Sequence, residues 1–369
     1  TIGGAWPLEA TYIRSAIWIV YLAIHLSMQY AELYANLGIL EHLVNNVVET
    51  VFQSMVIAKL IVIRHSKTLR SLIIAVQEDL AIGNYNNTEE KLIYKRYNFL
   101  AKLFFKLTIP TMSAGSILYY LVPLEHFIRT MYRNDTNPFA LPFRTRLYFS
   151  INDARTYLMV YAYQSPMVYI LVCHSAWFCL LTTMILHICG QLAVLRYRIK
   201  NIKVSLVEDE DHSNEVFRRL AERHLRSIWM AKSMDDAFNL ILLQDLAGST
   251  LLLGLTSYLA LVRTQTDILV FCLAIICSIT TLFLLYAYCI VGEFLIDEVR
   301  IQGRVVIFCK YYDALPKFTR HITCAIGMNH LPTFVSTYVY FFYLSQTYTS
   351  TKMVLRSAMG YLSLLRNFA

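Results

Sequence analysis

The sequence predicts an all-α fold, a bundle of seven transmembrane helices that forms one domain over residues 1–369. Hydrophobic residues make up 57% of the chain and charged residues only 16%, whereas about a quarter of the residues in a soluble protein are charged. The apolar residues gather in blocks of about 20, the length that a helix needs to cross a hydrocarbon core. The basic residues gather in alternate connections between these blocks, as they do in multi-pass membrane proteins.

Seven segments are long and apolar enough to be spans. They cover residues 12–34, 44–63, 99–124, 157–186, 238–261, 268–291 and 333–368. Pro110 and Gly115 predict a kink in the third span, and the fourth is predicted to stay helical as far as Lys200. No cleavable leader pattern opens the sequence, so we expect the first span to act as its own insertion signal.

The distribution of Lys and Arg orients the bundle. Nine basic residues lie within residues 59–106, nine within 196–232 and five within 300–320. Lys59 is the first basic residue of the first group. By contrast, the connection between the fifth and sixth spans holds only one basic residue, Arg263. Because Lys and Arg favour the cytoplasmic side, we expect a cytoplasmic amino terminus and an extracellular carboxyl terminus.

Two segments on the expected cytoplasmic side, residues 196–237 and 292–330, combine apolar stripes with many charges. Residues 215–237 predict an amphipathic helix that continues into the fifth span, and "DALP" at 313–316 predicts a turn. These segments either lie on the membrane surface or pack into an intracellular anchor layer between subunits. The sequence favours neither alternative.

No combination of residues predicts catalysis. Asp235, Asp236 and Asp245 are the best carboxylate candidates, and a solvated helix end at the membrane surface explains them better than catalysis does. His174 and His187 lack partners at metal-ligand spacing, which is more typical of hydrogen-bonded structural histidines. We therefore expect no enzyme activity, no catalytic residue, no metal and no cofactor. The net charge is +8, but the basic residues that produce it lie in the connections beside apolar blocks. No nucleic-acid partner is therefore expected either.

Two common classes of multi-pass protein fit poorly. A G-protein-coupled receptor has the opposite orientation, and the chain lacks an Asp-Arg-Tyr-like triplet after the third span and an Asn-Pro-x-x-Tyr-like stretch in the seventh. A transporter would show an internal repeat and broken spans near the midplane. No repeat is found, and Glu49, near the outer end of the second span, is the exceptional charge within a span. A ligand-gated or structural membrane protein remains.

The outer halves of three spans combine small residues with aromatic ones. The set consists of Met112, Gly115, Tyr119, Tyr157, Tyr161, Gln164, Pro166, Gly254, Thr256 and Tyr258. Small residues beside aromatic rings can leave a cavity, and apolar walls with few polar groups suit a small uncharged molecule. Ordinary helix packing is the alternative, and spacing alone favours it.

The last span ends in "GYLSLLRNFA". Gly360, Leu364, Asn367 and Phe368 share one helical face, while Arg366 points away and can reach the outer interface. Several copies of this face around an axis would form a narrow hydrophobic constriction that excludes water when closed. One helix cannot enclose such a pore, so this interpretation requires an oligomer.

At these residues the chain resembles the insect odorant receptors. Those chemoreceptor channels end in Thr-Tyr, five mostly apolar residues, Gln and an apolar residue. In this chain the signature is occupied by "GY", "LSLLR", Asn367 and Phe368. Gly replaces the Thr of the signature, and Asn replaces its Gln. The resemblance extends through "YYDALPKFTRHITCAIGMNHLPTF", "YLMVYAYQSP", "HICGQLAVL" and "GAWPL", and so covers the whole chain. The co-receptor's long intracellular insertion is missing, which indicates a tuning subunit.

The resemblance implies an odorant-gated, non-selective cation channel in the plasma membrane of a sensory neuron. Its expected partners are a co-receptor subunit in a hetero-tetramer, a small volatile apolar ligand, the lipid bilayer and permeating cations. The pocket would lie in the outer half of residues 44–291, lined by Val48, Phe52, Met112, Gly115, Tyr119, Tyr161, Gln164, Gly254 and Tyr258. The pore helix would cover residues 333–368, with pore and gate residues Gly360, Leu364, Asn367 and Phe368.

Two alternative functions stay open. A gustatory receptor channel of the same superfamily would more often keep the full signature of the last helix. A metabotropic seven-span receptor is less favoured. The expected topology also makes a separate prediction: Asn134, in an Asn-Asp-Thr sequon of an outer loop, is glycosylated, whereas Asn86 in a cytoplasmic loop is not.

Overall fold

A computed structural model of the chain describes residues 6, 8, 12–38, 40–82, 85, 87–133, 139–201, 210–263, 268–311, 356 and 360. Eight helices account for most of these residues: α1 Tyr12–Ala35, α2 Leu40–His65, α3 Lys67–Ile82, α4 Thr88–Arg133, α5 Ala154–Gln164, α6 Pro166–Lys200, α7 Glu210–Arg263 and α8 Ile268–Tyr311. No strand occurs within the described ranges. The predicted all-α class is therefore confirmed.

Within the part of the chain that the structure describes, six helical stretches are long and apolar enough to cross a membrane. They correspond to the first six predicted spans, and the fourth is divided at Ser165 between α5 and α6, where Pro166 opens α6. The helix predicted to reach Lys200 does so. The seventh predicted span, residues 333–368, lies outside the described residues apart from Arg356 and Gly360, which are both helical and exposed.

The helix of the fifth span continues far beyond the bilayer. Helix α7 has 54 residues, which at 1.5 Å per residue gives a length of about 81 Å, against about 30 Å for a hydrocarbon core. The predicted continuation of residues 215–237 into the fifth span is thus confirmed. Helix α3 was not predicted, and it packs beside α7 in the same part of the molecule. Residues 312–330 of the second predicted anchor segment lie outside the described ranges.

Helix α6 is the central helix of the described bundle, since it packs against α4, α7 and α8. The main apolar core forms where α6 meets α2, α3, α7 and α8. Its fully buried members include Ile63, Leu69, Leu72, Ile185, Cys189 and Met234. Burying each such side chain contributes about 1.5–3 kcal/mol relative to leaving it in water.

Helix α1 buries mostly polar residues and exposes apolar ones, the reverse of the main core. Its buried residues are Ser15, Leu22, His25 and Gln29, while Ile13, Ile17, Val20 and Ile24 are more than half exposed. An apolar outer face suits a helix that meets lipid, because hydrocarbon offers polar groups no hydrogen bonds. On the inner face, Leu22 packs with Val56 and Leu60 of α2, and the His25 ring lies 5.9 Å from the rings of Phe143 and Tyr163. At the exposed edge of the contact between α1 and α2, the hydroxyls of Tyr30 and Ser54 lie 2.9 Å apart. Polar side chains between helices hold membrane bundles together in this way.

Candidate functional site

A charged cluster lies in the middle of the bundle and joins four helices. Lys59 of α2 forms an ion pair with Asp245 of α7, and the two side chains are only 1% and 2% exposed. The Lys59 Nζ atom is 3.3 Å from Nδ1 of His174 on α6 and 5.0 Å from the ring centroid of Phe178. On the other side, the Tyr288 hydroxyl of α8 donates to Asp245 Oδ2 at 3.3 Å. We call Lys59, His174, Asp245 and Tyr288 the charge cluster.

The charge cluster corrects two expectations. Lys59 was counted among the basic residues of a cytoplasmic connection, and Asp245 was interpreted as a solvated carboxylate at a helix end. Both are instead buried within membrane-length helices. A lone charge would be strongly disfavoured there, and each side chain makes the other tolerable through charge compensation and hydrogen bonds. The histidine was interpreted correctly as a hydrogen-bonded residue, since His174 contacts Lys59.

A second group of side chains contains part of the predicted ligand pocket. Phe52 and Tyr119 pack on a buried cluster that includes Phe143 and Met167. The Tyr119 hydroxyl donates to Glu49 Oε1 at 3.0 Å. Beside this cluster, a Cβ added at Gly115, one helical turn before Tyr119, would meet no atom within 4 Å, so the space there is open. Aromatic walls, a hydroxyl and open space are the elements of a small-molecule site.

The Glu49 carboxylate is the polar centre of this region. Besides the Tyr119 hydroxyl, it accepts a hydrogen bond of 2.8 Å from the backbone N–H of Arg144. Both of its oxygens are therefore engaged by the protein. This carboxylate, which the sequence indicated as exceptional, holds the connection between α4 and α5 against α2.

The aromatic region and the charge cluster are in direct contact. The rings of Phe52 and His174 lie 4.8 Å apart, and Lys59 is the next neighbour of His174. A change in position of Phe52 would therefore reach the ion pair through one intervening side chain. This contact links a predicted ligand residue to the polar centre of the bundle.

The remaining predicted pocket residues are distributed over other clusters. Val48 packs with Tyr258 between α2 and α7, and Gly254 is buried one turn before Tyr258. Met112 packs on the main core. Tyr161 packs in a third cluster, where its hydroxyl donates to the carbonyl of a neighbouring tyrosine on α4. The described residues therefore place Phe52 and Tyr119 on one cluster, with Gly115 one turn before Tyr119 on the same helix. Val48, Met112, Tyr161, Gly254 and Tyr258 lie in other parts of the bundle.

Gln164 has a structural partner in the described fold. Its side chain is fully buried, and its Nε2 donates to the carbonyl oxygen of Phe143 at 2.9 Å. The backbone N–H of Phe143 donates back to Gln164 Oε1 at 3.1 Å. This reciprocal pair fixes the connection that passes over the Phe52–Tyr119 cluster.

A cavity lined by arginines lies at the far end of the bundle, away from these clusters. It has a volume of about 190 Å³ and is lined by Asp79, Tyr85, Gln191, Val194, Leu195, Arg198, Arg223, Arg226 and Ser227. We call it the arginine cavity. Burial, and next the nearby charge of Asp79, raise the pKa of Tyr85 to about 12, so its hydroxyl keeps its proton at neutral pH.

The predicted pore residues cannot be placed in this bundle. Leu364, Asn367 and Phe368 lie outside the described residues, as does the predicted glycosylation site Asn134. Gly360 is helical and exposed. Within the described ranges, no group of His, Cys, Asp and Glu side chains could hold a metal ion.

Comparison with known proteins decides the family. The model of the 7tm Odorant receptor family matches residues 39–353 of the chain. The chain belongs to this family. The resemblance to insect odorant receptors seen in the sequence is thereby confirmed, and the family and fold are those of receptors and not of enzymes.

Solved receptor structures share the fold. The receptor is similar to the insect olfactory receptor OR5 from Machilis hrabei in complex with eugenol, with a TM-score of 0.71 and 14% identity over 99% of this chain and 93% of that one. It is also similar to a second structure of the insect olfactory receptor OR5 from Machilis hrabei, with a TM-score of 0.69 and 13% identity over 92% of this chain and 91% of that one. No curated protein sequence matches the receptor significantly.

Sequence reasoning missed the charge cluster and the arginine cavity of this odorant receptor. One signal was present for the first: Lys59 and Asp245 both fall in apolar stretches, and a charge at such a position favours a paired, inward-facing side chain. The pairing itself could not be found, because the partners are far apart along the chain. The cavity depends on α3, α6 and α7 meeting, which no local pattern specifies.

Proposed function

We propose that this odorant receptor binds a small, uncharged volatile molecule and is a subunit of a ligand-gated cation channel. Membership of the odorant receptor family carries the receptor part of the proposal. The position of the ligand rests on the contact of Phe52 and Tyr119 with one buried cluster and on the open space beside Gly115. The similar OR5 structure contains eugenol, a small phenol, which supports a ligand of this size and polarity.

The chemistry around Glu49 favours a neutral ligand over a cationic one. Its two oxygens already accept hydrogen bonds from Tyr119 and from the backbone of Arg144. The carboxylate keeps free lone pairs, but the neighbouring side chains of Phe52, Phe143 and Met167 are apolar, and they favour an uncharged molecule that needs only apolar contact and one hydrogen bond. The Tyr119 hydroxyl donates its proton to Glu49, and its oxygen can still accept that bond from the ligand.

The gate is proposed to lie in the last helix. Gly360, Leu364, Asn367 and Phe368 would face a central axis in a hetero-tetramer with a co-receptor, and cations would pass when Leu364 and Phe368 leave that axis. The carboxyl terminus is then extracellular. Binding shifts the channel toward the open state only by the difference in the ligand's affinity for the two states. The contact of Phe52 with His174 is a route by which a ligand could affect the helices around the charge cluster.

Whole-cell recording of cells that express the receptor with and without a co-receptor, against a panel of volatiles, tests this proposal. We expect odorant-evoked cation currents that persist when nucleotide and G-protein supply are removed. Currents that disappear under those conditions would favour a metabotropic receptor. Saturable uptake of the volatile without conductance would indicate a transporter.

The division between ligand site and gate has its own test. Phe52→Ala should act mainly by raising the half-maximal odorant concentration, whereas Leu364→Ala should act mainly by raising basal current. Tyr148→Phe is a matched control for aromatic variants, because Tyr148 is 88% exposed. If Phe52→Ala and Leu364→Ala altered the same parameter, the two roles would not be separate.

A further inference from the structure

The arginine cavity has no role in the proposed odorant response. Its volume of about 190 Å³ is many times the roughly 10–15 Å³ that one water molecule needs. It therefore has room for a small polyatomic ion. Arg198 lies in the last turn of α6, about 18 Å along the helix from the predicted end of the fourth span at residue 186. The cavity thus lies beyond the hydrocarbon region.

Two of the three arginines that line the cavity are compensated by carboxylates. Arg198 forms two parallel hydrogen bonds with Glu90, of 3.0 Å from Nε and 2.6 Å from Nη2. Arg226 forms two ion pairs: its Nε atom is 2.9 Å from Oδ1 of Asp79, and its Nη2 atom is 3.0 Å from Oε2 of Glu78. These pairs hold α6 against α4 and α7 against α3.

The acidic group in the lining is also compensated. Besides its ion pair with Arg226, the Asp79 carboxylate contacts His187, whose Nε2 atom is 3.4 Å from Asp79 Oδ2. Asp79 therefore has one cationic partner, Arg226, and one hydrogen-bond partner, His187, on different helices. An anion in the cavity would meet a carboxylate that is already paired with an arginine.

Arg223 is different from the other two arginines. It lines the cavity from α7 and is half-buried. Among the described residues, no carboxylate lies within ion-pair distance of its guanidinium, and Glu90 and Asp79 act on its charge only from farther away. A half-buried guanidinium offers five N–H donors in a planar fork, which matches the geometry of phosphate oxygens.

We propose that the arginine cavity binds a phosphate-bearing anion, with Arg223 as its principal ligand. The Tyr85 hydroxyl and the Gln191 amide, which are hydrogen-bonded to each other, line the same cavity and can donate further hydrogen bonds. The Ser227 hydroxyl, also in the lining, donates to the carbonyl oxygen of Arg223. Two sources could supply this chemistry, a soluble phosphate compound or the headgroup of an anionic lipid. Because these residues belong to α6, α7 and the connection before α4, the bound anion would tie together the end of the bundle and the start of α7.

Binding to the purified full-length receptor tests the inference without any current measurement. The receptor in phosphatidylcholine nanodiscs is titrated with radiolabelled inorganic phosphate at constant ionic strength, and the same nanodiscs with an added phosphoinositide are compared by thermal unfolding. Arg223→Gln should weaken phosphate binding at least about tenfold, equivalent to about 1.4 kcal/mol. Arg223→Lys should retain part of it, because the charge remains while the planar fork is lost.

A control arginine is available on the same helix. Arg218 is 70% exposed and paired with Glu222 within one turn, so Arg218→Gln should leave phosphate binding unchanged. Binding of phosphate identifies a soluble ligand, and stabilisation by the phosphoinositide without phosphate binding identifies a headgroup. Either effect should be lost in Arg223→Gln if the inference holds. Absence of both effects in the wild type, equal weakening by Arg218→Gln and Arg223→Gln, or equal binding of acetate would overturn it.

Discussion

The buried ion pair between Lys59 and Asp245 gives the strongest single prediction about this receptor. We consider Lys59→Met, which keeps an unbranched side chain of similar length and removes the charge. Both partners are almost fully buried, so the Asp245 carboxylate would lose its counter-charge without gaining solvent. Removing one partner of a buried pair typically costs about 3–5 kcal/mol, because an uncompensated charge is left behind.

The surrounding contacts place the expected cost at the lower end of that range. The Tyr288 hydroxyl would still donate to Asp245 at 3.3 Å, and the methionine would keep its contact with the Phe178 ring, on which Lys59 now lies. The carboxylate can also take up a proton, which limits the penalty. We therefore expect Lys59→Met to destabilise the receptor by about 3 kcal/mol.

The double variant separates charge compensation from packing. Lys59→Met combined with Asp245→Leu removes both charges, and replacing a buried pair by apolar side chains is often close to neutral. The measurement is equilibrium unfolding of the purified receptor in detergent, analysed as a double-mutant cycle. Lys95→Met, at an exposed position of α4, controls for the substitution itself. A loss below about 1 kcal/mol for Lys59→Met, or a double variant as unstable as the sum of the single ones, would refute the reasoning.

Three further variants follow from individual contacts. Tyr119→Phe removes the hydroxyl that donates to Glu49; we expect a cost of about 1–3 kcal/mol, measured by thermal unfolding, and a higher half-maximal odorant concentration in recordings. Gln164→Leu leaves the backbone groups of Phe143 unpaired and should lower unfolding stability by about 1–3 kcal/mol per buried group, so wild-type stability would contradict this role. Gly248→Ala places a Cβ against the side chain of Met55. Overpacking of this kind costs about 1–3 kcal/mol, and adding Met55→Ala should relieve it; an equally unstable double variant would show that contact to be unimportant.

Hydropathy predicted the spans well, because the bilayer imposes a length and an apolar exterior on every crossing helix. Six predicted spans correspond to membrane-length helices in the described residues. The continuation of the fifth span into residues 215–237 followed from helical periodicity, which does not depend on the surrounding solvent. The break at Ser165 was missed, although Pro166 was visible, because a proline also fits inside a kinked membrane helix.

The interior could not be predicted in the same way. Ser15, His25 and Gln29 all fall on the buried face of α1, yet a hydropathy average treats them only as small interruptions of an apolar segment. Arg198 was counted as one positive charge of a cytoplasmic connection, and its pairing with Glu90 of α4 is invisible in a count. Partners of this kind are separated by many residues, so one sequence carries no signal of which carboxylate meets which base.

The polar contacts, more than the apolar ones, decide how this bundle is arranged. A hydrocarbon exterior gives helices little hydrophobic reason to choose one neighbour over another, since lipid is as apolar as a leucine side chain. Lys59, by contrast, is tolerated inside the bundle only where a counter-charge meets it. Its ion pair with Asp245 therefore fixes α2 against α7. Gln164 similarly fixes the connection at Phe143 above Tyr119. A ligand beside Phe52 would therefore act on a structure whose alternatives are limited by a few polar pairs, and a change of state in this part of the receptor must either keep those pairs or exchange them.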